Sequence, residues 1–270
     1  AGIKSLIIPS KDPNPLVNGK GFKELKKAGI KIKVGLLKKE SEILNEIYFH
    51  YIKHKMPFVL SSIAMSLDGR TALGNGKSQW ITGDAARRDV QRWRARSCAV
   101  LTGINTVLAD DAQLNVREIE TPRQPMRVVL DSRLRIPLDA RILYDNGGST
   151  LVYTALDDDR KIAVLQDLGA TVVVLPGSGG QVDPAAVLQD LAGRGCNEIL
   201  VEAGSTLNGA LLRAGLVDEL LLYMAPQLLG DAARGVAKLG ELTNLGQRVN
   251  LKWQDVRQVG NDLRITVRME

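Results

Sequence analysis

The sequence predicts an α/β protein: a large mixed sheet flanked by helices, preceded by a smaller β-α-β-α unit. Three observations predict it. From residue 57 on, short apolar runs alternate with stretches of helical periodicity, the pattern of strands layered with helices. In two places an apolar strand runs into a glycine turn and then a helix start, at Gly103 and Gly204. Every basic residue before Arg70 is lysine, apart from His50 and His54, whereas arginine dominates after it. That shift sets a boundary near Met56-Pro57, dividing the chain into residues 1–56 and 57–270. It also fits a fusion of two sources, which codon usage across the junction would test.

With 270 residues, 44% of them hydrophobic, the chain can bury a sizeable core. No apolar run approaches the roughly 20 residues of a membrane span. Pro9 interrupts the short apolar run after Lys4, so no signal peptide is expected. Cys98 and Cys196 imply neither a disulfide framework nor a zinc set. These features read as a cytoplasmic protein. The net charge of +6 is spread along the chain and aromatics are only 4%. Nucleic-acid binders concentrate charge in a stripe with aromatics between. An anionic small molecule explains the charge equally well, so the expected partner is neither nucleic acid nor membrane.

In chain order, residues 3–8 read as a strand, 11–15 as a loop and 22–28 as a helix closed by Gly29. A strand of alternating faces over 30–34 and one amphipathic helix over 40–54 complete the unit. A unit of about 55 residues is marginal alone, so a larger sheet is expected around it. His50 and His54 sit one helical turn apart, the spacing of a metal pair. Without a third ligand or a catalytic Glu between them, they read as solvated surface.

Residues 58–66 are mostly apolar and suit a strand buried on both faces. Asp68-Gly69 comes next, by itself a hairpin signal. Trp80, behind the loop 74–78, either packs in the core or covers a bound ring, and core packing is the commoner use. Thr82 or Asp84 can cap a helix that runs to about Arg96. Ala86, Val90 and Trp93 form its buried face. Arg94 lies roughly 40° around the helix from Val90 and Arg87 roughly 60°, while Arg88, Arg92 and Arg96 point toward solvent. A guanidinium beside an apolar stripe needs an acceptor, and either a phosphate or an acidic side chain would satisfy Arg94.

Residues 98–102 form a buried strand, ended by Gly103, and Asn105-Thr106 opens a short helix. That order makes an anion site. Asp110-Asp111 has no His or Cys nearby, so capping or a hydrogen bond to a ligand is expected rather than metal. A strand over 126–131 delivers Ser132 to the carboxyl end of the sheet, where ligands bind. Further strands are expected over 150–154 and 171–175, with helices over 157–168 and 184–193 and a flexible glycine loop over 177–180. The strand 198–202 feeds Gly204 and a helix over 207–214, where Ser205 and Thr206 can cap or bind phosphate oxygens. Glu202 ends an apolar strand and needs a partner. Residues 218–225 and 263–268 are further strands.

The runs Ser66-Leu-Asp-Gly-Arg-Thr-Ala, Ser78-Gln-Trp-Ile-Thr, Ala86-Arg-Arg-Asp, Thr106-Val-Leu-Ala-Asp-Asp and Leu114-Asn-Val-Arg carry a family likeness. With Val201-Glu-Ala-Gly-Ser-Thr-Leu and Gly215-Leu-Val-Asp-Glu-Leu, they resemble the reductase half of the bifunctional riboflavin-biosynthesis deaminase/reductase family. The resemblance spans about Pro57 to the C-terminus. It implies a dihydrofolate-reductase-like fold, NADPH as cofactor and a homodimer. The implied reaction reduces 5-amino-6-(5-phosphoribosylamino)uracil, with hydride passing to the first ribose carbon after the ring opens. Implied substrate contacts are Ser78, Arg94, Leu114, Arg117 and Glu202, with Arg94 and Arg117 on the ribose phosphate. Implied NADPH contacts are Ala64, Trp80, Thr106, Asp110 and Ser132. The turn and helix Gly204, Ser205, Thr206, Leu207, Asn208, Gly209 and Ala210 complete that set. Asp110 and Glu202 are the candidate proton donors, although each can simply bind a hydroxyl.

Ala1-Gly-Ile, Asp12-Pro-Asn-Pro and Gly19-Lys-Gly-Phe are similar to the last part of the family's deaminase half. The His-x-Glu and Pro-Cys-x-x-Cys motifs that hold its zinc do not occur in this sequence, so deamination is not expected. An Ala at position 1 suggests a piece of a longer protein. Rival readings are a reductase of this fold acting on a pterin or another sugar-amine, a non-catalytic nucleotide- or nucleic-acid-binding module, and a zinc deaminase.

Overall fold

A computed structural model describes residues 2–144 and 147–270, so Ala1 of the N-terminal likeness lies outside the described residues. The chain forms two compact units, one up to Phe58 and one from Val59 on.

In the first unit, β1 (Ser5–Ile8) pairs in parallel with β2 (Lys31–Val34), and α1 (Lys20–Lys27) connects them. These strands form a two-stranded sheet of their own, so the larger sheet expected around them is not formed among the described residues. The single helix expected over 40–54 is two helices, α2 (Lys38–Leu44) and α3 (Glu46–His54). Asn45 separates them: its Nδ2 donates to Ser41 O at 2.9 Å, a side-chain bond that competes with helix continuation. The His50 ring lies 4.8 Å from His54 and meets Phe58 edge-on at 5.5 Å. His50 is therefore packed against rings rather than simply solvated.

The second unit contains, in order, β3 (Phe58–Ser66), β4 (Arg70–Ala72), α4 (Asp84–Arg96), β5 (Ala99–Gly103), α5 (Ile104–Asp110), β6 (Met126–Leu130) and α6 (Arg141–Tyr144). Then come β7 (Thr150–Thr154), α7 (Asp159–Asp167), β8 (Thr171–Val174), α8 (Pro184–Gly193), β9 (Glu198–Val201), α9 (Ser205–Arg213) and β10 (Glu219–Ala225). The short β11 (Arg234–Gly235) precedes a long final pair, β12 (Leu251–Val259) and β13 (Asp262–Met269). A nine-stranded sheet has the order β12-β13-β10-β3-β9-β5-β6-β7-β8. Pairs β10–β3, β9–β5, β5–β6, β6–β7 and β7–β8 are parallel, and β13 runs antiparallel to β10 and β12.

The parallel strands read as unbroken apolar runs because helices cover both faces. Leu60, Val100, Val129, Val152 and Leu200 are completely buried. Ala86 is buried on α4, and the half-buried Val90 and Trp93 pack on the same cluster, as the helical spacing requires. Asp158 and Asp183 cap α7 and α8 with their side chains.

Four local expectations need correction. Gly69, at φ 71°, closes a turn onto Ser66 O, but β4 pairs with β11 rather than folding back on β3. Both edges of β3 are already taken by β10 and β9. Neither Thr82 nor Asp84 caps α4. Gly83 holds the cap position, and its N–H donates to Asp262 Oδ2 at 2.8 Å, an acceptor from distant β13. The loop 177–180 contains a 3-10 turn over Ser178–Gly180. Finally, Gly204 caps α9, so neither Ser205 nor Thr206 does so. Among the described residues no helix is long and apolar enough to cross a membrane.

Candidate active site

A cavity of about 1400 Å³ lies along the ends of β3, β5, β6 and β9. Pockets for one small ligand run roughly 300–1,000 Å³, so this one has room for a dinucleotide and a second molecule. Gly103 and Gly204 lead α5 and α9 into it, and no side chain caps either helix. Their first-turn amides are thus left for a ligand, the requirement for a phosphate cradle. A side chain at Gly204 would meet nothing within 4 Å, so the backbone there is open to close approach.

Ala64, Thr106, Asp110 and Ser132 all line this cavity. The Ser132 hydroxyl accepts from Val182 N–H at 3.0 Å and donates to Gln181 Oε1 at 3.3 Å, which fixes the β6 end. From α9, Ser205, Thr206, Leu207 and Ala210 face the same space. Asn208 and Gly209 do not, because helical rotation turns them to the other side. Asn208 is buried, accepting from the Ser61 hydroxyl at 3.1 Å and donating to Ala203 O at 2.9 Å. Gly209 lies directly against the backbone of Lys238. Both serve packing under the turn rather than contact within the cavity. Trp80 is 68% exposed at the cavity rim, with the Arg87 guanidinium 4.5 Å above its ring. Core packing is therefore excluded, and the ring presents an exposed aromatic face at the rim.

The most consequential geometry is around Arg94. Its Nε and Nη2 donate to the two carboxylate oxygens of Glu202 at 2.7 and 2.6 Å, and Nη1 donates to Asn115 O at 2.8 Å. The Glu202 carboxylate thus accepts two of the bonds of the planar fork. Burial works against the Arg94 charge, yet Glu202 more than offsets it and holds the guanidinium above its ordinary range. Glu202 in turn finds the partner its apolar strand demands. Arg117 lines the same cavity and bonds to Gln113, while its backbone N–H donates to Gln91 Oε1 at 2.9 Å. Burial, then the neighbouring Arg94 and Arg141, lower the Arg117 pKa.

Leu114 is buried, lines the cavity and has φ 56°, so this turn is shaped by backbone. Ser78 lines the same wall. Gln79 Nε2 donates to Asp110 Oδ1 at 3.3 Å, and burial raises the Asp110 carboxyl above the usual range despite that bond. The second Asp of the pair acts locally: Asp111 Oδ1 accepts the Arg141 N–H at 2.9 Å. Sequence reasoning missed Arg133, Arg135 and Arg141, which also line the cavity from the segment after β6. For Arg133 and Arg135 the one visible signal was position, just beyond the carboxyl end of a buried strand.

The model of the RibD C-terminal domain family matches residues 57–265. The chain belongs to this family. The riboflavin biosynthesis protein RibD of Actinobacillus pleuropneumoniae is 40% identical over 264 residues, covering 97% of this chain and 70% of the relative. The solved structure of Acinetobacter baumannii RibD matches with a TM-score of 0.88 at 40% identity, over 99% of this chain and 73% of that one. A Thermotoga maritima diaminohydroxyphosphoribosylaminopyrimidine deaminase/5-amino-6-(5-phosphoribosylamino)uracil reductase matches with a TM-score of 0.84 at 27% identity, covering 100% and 72% of the two chains. RibD membership places the chain in the pyrimidine reduction of riboflavin biosynthesis.

Proposed function

We propose that this protein reduces 5-amino-6-(5-phosphoribosylamino)uracil to 5-amino-6-(5-phosphoribitylamino)uracil with NADPH, as a cytoplasmic homodimer. One observation carries the reading. A single cavity holds two uncapped, glycine-led helix starts together with the Arg94–Glu202 pair and Arg117. The reductase named for the Thermotoga relative supports the choice of substrate.

Bound NADPH supplies the hydride for the first ribose carbon. The chain's own part is alignment and charge. The Gly204 turn and the first turn of α9 cradle cofactor phosphates, Trp80 covers a ring, and Ser132 and Thr106 add polar contacts. Arg117 attracts the ribose phosphate. Arg94 holds the Glu202 carboxylate in one orientation, which leaves Glu202 to accept from a ribose hydroxyl. Asp110, whose carboxyl burial raises above its usual range, is a candidate proton donor beside Glu202.

Residues 1–56 correspond on this reading to the end of a deaminase half. Near-complete coverage of this chain by both solved relatives supports that. The His-x-Glu and Pro-Cys-x-x-Cys motifs do not occur in these 270 residues, so deamination is not expected of this stretch itself. Loss of NADPH absorbance on adding the phosphoribosylamino substrate tests the proposal. Oxidation with dihydrofolate instead would move the enzyme to a pterin. NADPH binding without turnover of either substrate would make it a binding module.

A further inference from the structure

An indole left largely in water, as that of Trp80 is, samples several rotamers unless a neighbour holds it. The backbone beyond it is well fixed. Ile81 O accepts from Gln227 Nε2 at 2.9 Å, and Gly83 N–H donates to Asp262 Oδ2 at 2.8 Å. Neither bond reaches the ring. Among the described residues the charged group that does is the Arg87 guanidinium, centred 4.5 Å from the ring centroid. That guanidinium is itself clamped: Nη1 donates to Thr82 O at 2.6 Å, and Nη2 pairs with the Asp84 carboxylate. We infer that Arg87 is a positioning residue for the cofactor, covering one face of the Trp80 indole so that the other face is presented to a flat ring bound in the cavity.

Both side chains line the cavity, so the contact stands at its mouth and not on the outer surface. The planar fork meets a ring, a carbonyl and a carboxylate at once, which a compact ammonium cannot do. Rotamer freedom of the indole is then lost on folding instead of on binding, and such preorganisation raises affinity. Asp84 neutralises Arg87, so direct attraction of an anionic cofactor is not its main contribution.

This inference rests on the NADPH reading above, so its test includes a part that needs no cofactor. The protein has three tryptophans, and labelling it with fluorotryptophan gives each a fluorine NMR signal. The Trp80 signal is identified by its loss in Trp80→Phe. In Arg87→Ala of the full chain that signal alone is expected to move and to narrow. An unmoved Trp80 signal would overturn the proposal, and displacement of all the tryptophan signals would make Arg87 a structural residue instead. Cofactor titration supplies the second part. Arg87→Ala is expected to weaken NADPH about three- to tenfold, the weight of one side chain that must now be ordered on binding. In steady-state assays KM for NADPH should rise more than kcat falls, and Arg87→Lys should recover part of the loss. In a Trp80→Ala background, Arg87→Ala should add nothing further, because the ring it positions is gone. Additive losses that shrink as salt is raised would mark Arg87 as a direct contact of a cofactor phosphate and overturn the positioning role, as would unchanged NADPH affinity in Arg87→Ala. Should the wild type bind no NADPH, the cofactor reading fails, and the fluorine signal still decides whether Arg87 holds Trp80.

Discussion

At the scale of single residues, the Arg94–Glu202 pair decides how the site must be probed. Its side chains are 11% and 18% exposed, so removing either leaves a nearly buried charge. Arg94→Ala is therefore expected to cost about 3–5 kcal/mol of stability, and lost activity in that variant would say little about phosphate. Arg94→Met combined with Glu202→Gln should recover most of that stability in urea titrations yet stay inactive. A double variant as unstable as Arg94→Ala would refute the pairing. Asp110 gives a second prediction at this scale. Burial holds its carboxyl above the ordinary range, so it keeps its proton to higher pH than a free Asp. Ionising it costs stability as pH rises through that raised value. If it donates the proton, kcat falls over the same interval. Asp110→Asn should remove that limb from the pH profile, and a limb that persists would assign the proton to another group.

At the scale of elements, Asp89 ties α4 to two strands of the sheet. Asp89 Oδ2 accepts from the Tyr223 hydroxyl at 2.7 Å on β10 and from Arg264 Nη1 at 2.8 Å on β13. Burial pushes the Asp89 carboxyl up, but Arg264 and Tyr223 outweigh it and hold it below its usual range. Its contribution is thus complete above the unfolded carboxylate pKa and lost as pH falls through the lower folded value. Asp89→Ala should cost about 3 kcal/mol and flatten the acid side of a melting-temperature profile; an unaltered acid side would show that the hub is idle. Gly209→Ala on α9 should cost about 1–3 kcal/mol by overpacking against Lys238, measured by thermal melting. These two anchors also show what could be read from sequence. The α4 stripe of Ala86, Val90 and Trp93 was legible because burial and period coincide. The cap from Asp262 and the donors to Asp89 were not. Each depends on a partner far away in the chain, which no local period encodes.

At the scale of the whole molecule, the sheet's end raises a question the sequence hid. The strand β12 carries charges and polar groups between its apolar residues, so no simple alternation marks it. A register shift between Trp253 and Asp255 changes the parity of the later residues in the strand. Leu251 stands opposite Met269, Trp253 opposite Val267, and Val256 opposite Ile265, which puts all of them on one face. They are 40%, 67% and 54% exposed. An edge strand bearing such a stripe invites pairing with a second surface, and a second copy of the same strand is the simplest occupant. The homodimer proposed above would then form through β12. Trp253→Glu should halve the mass measured by light scattering during gel filtration and leave the melting temperature of the remaining monomer nearly intact, since the indole adds little to its own chain's core. A wild-type protein that is already monomeric at micromolar concentration, or a Trp253→Glu variant that stays dimeric, would rule this edge out as the contact.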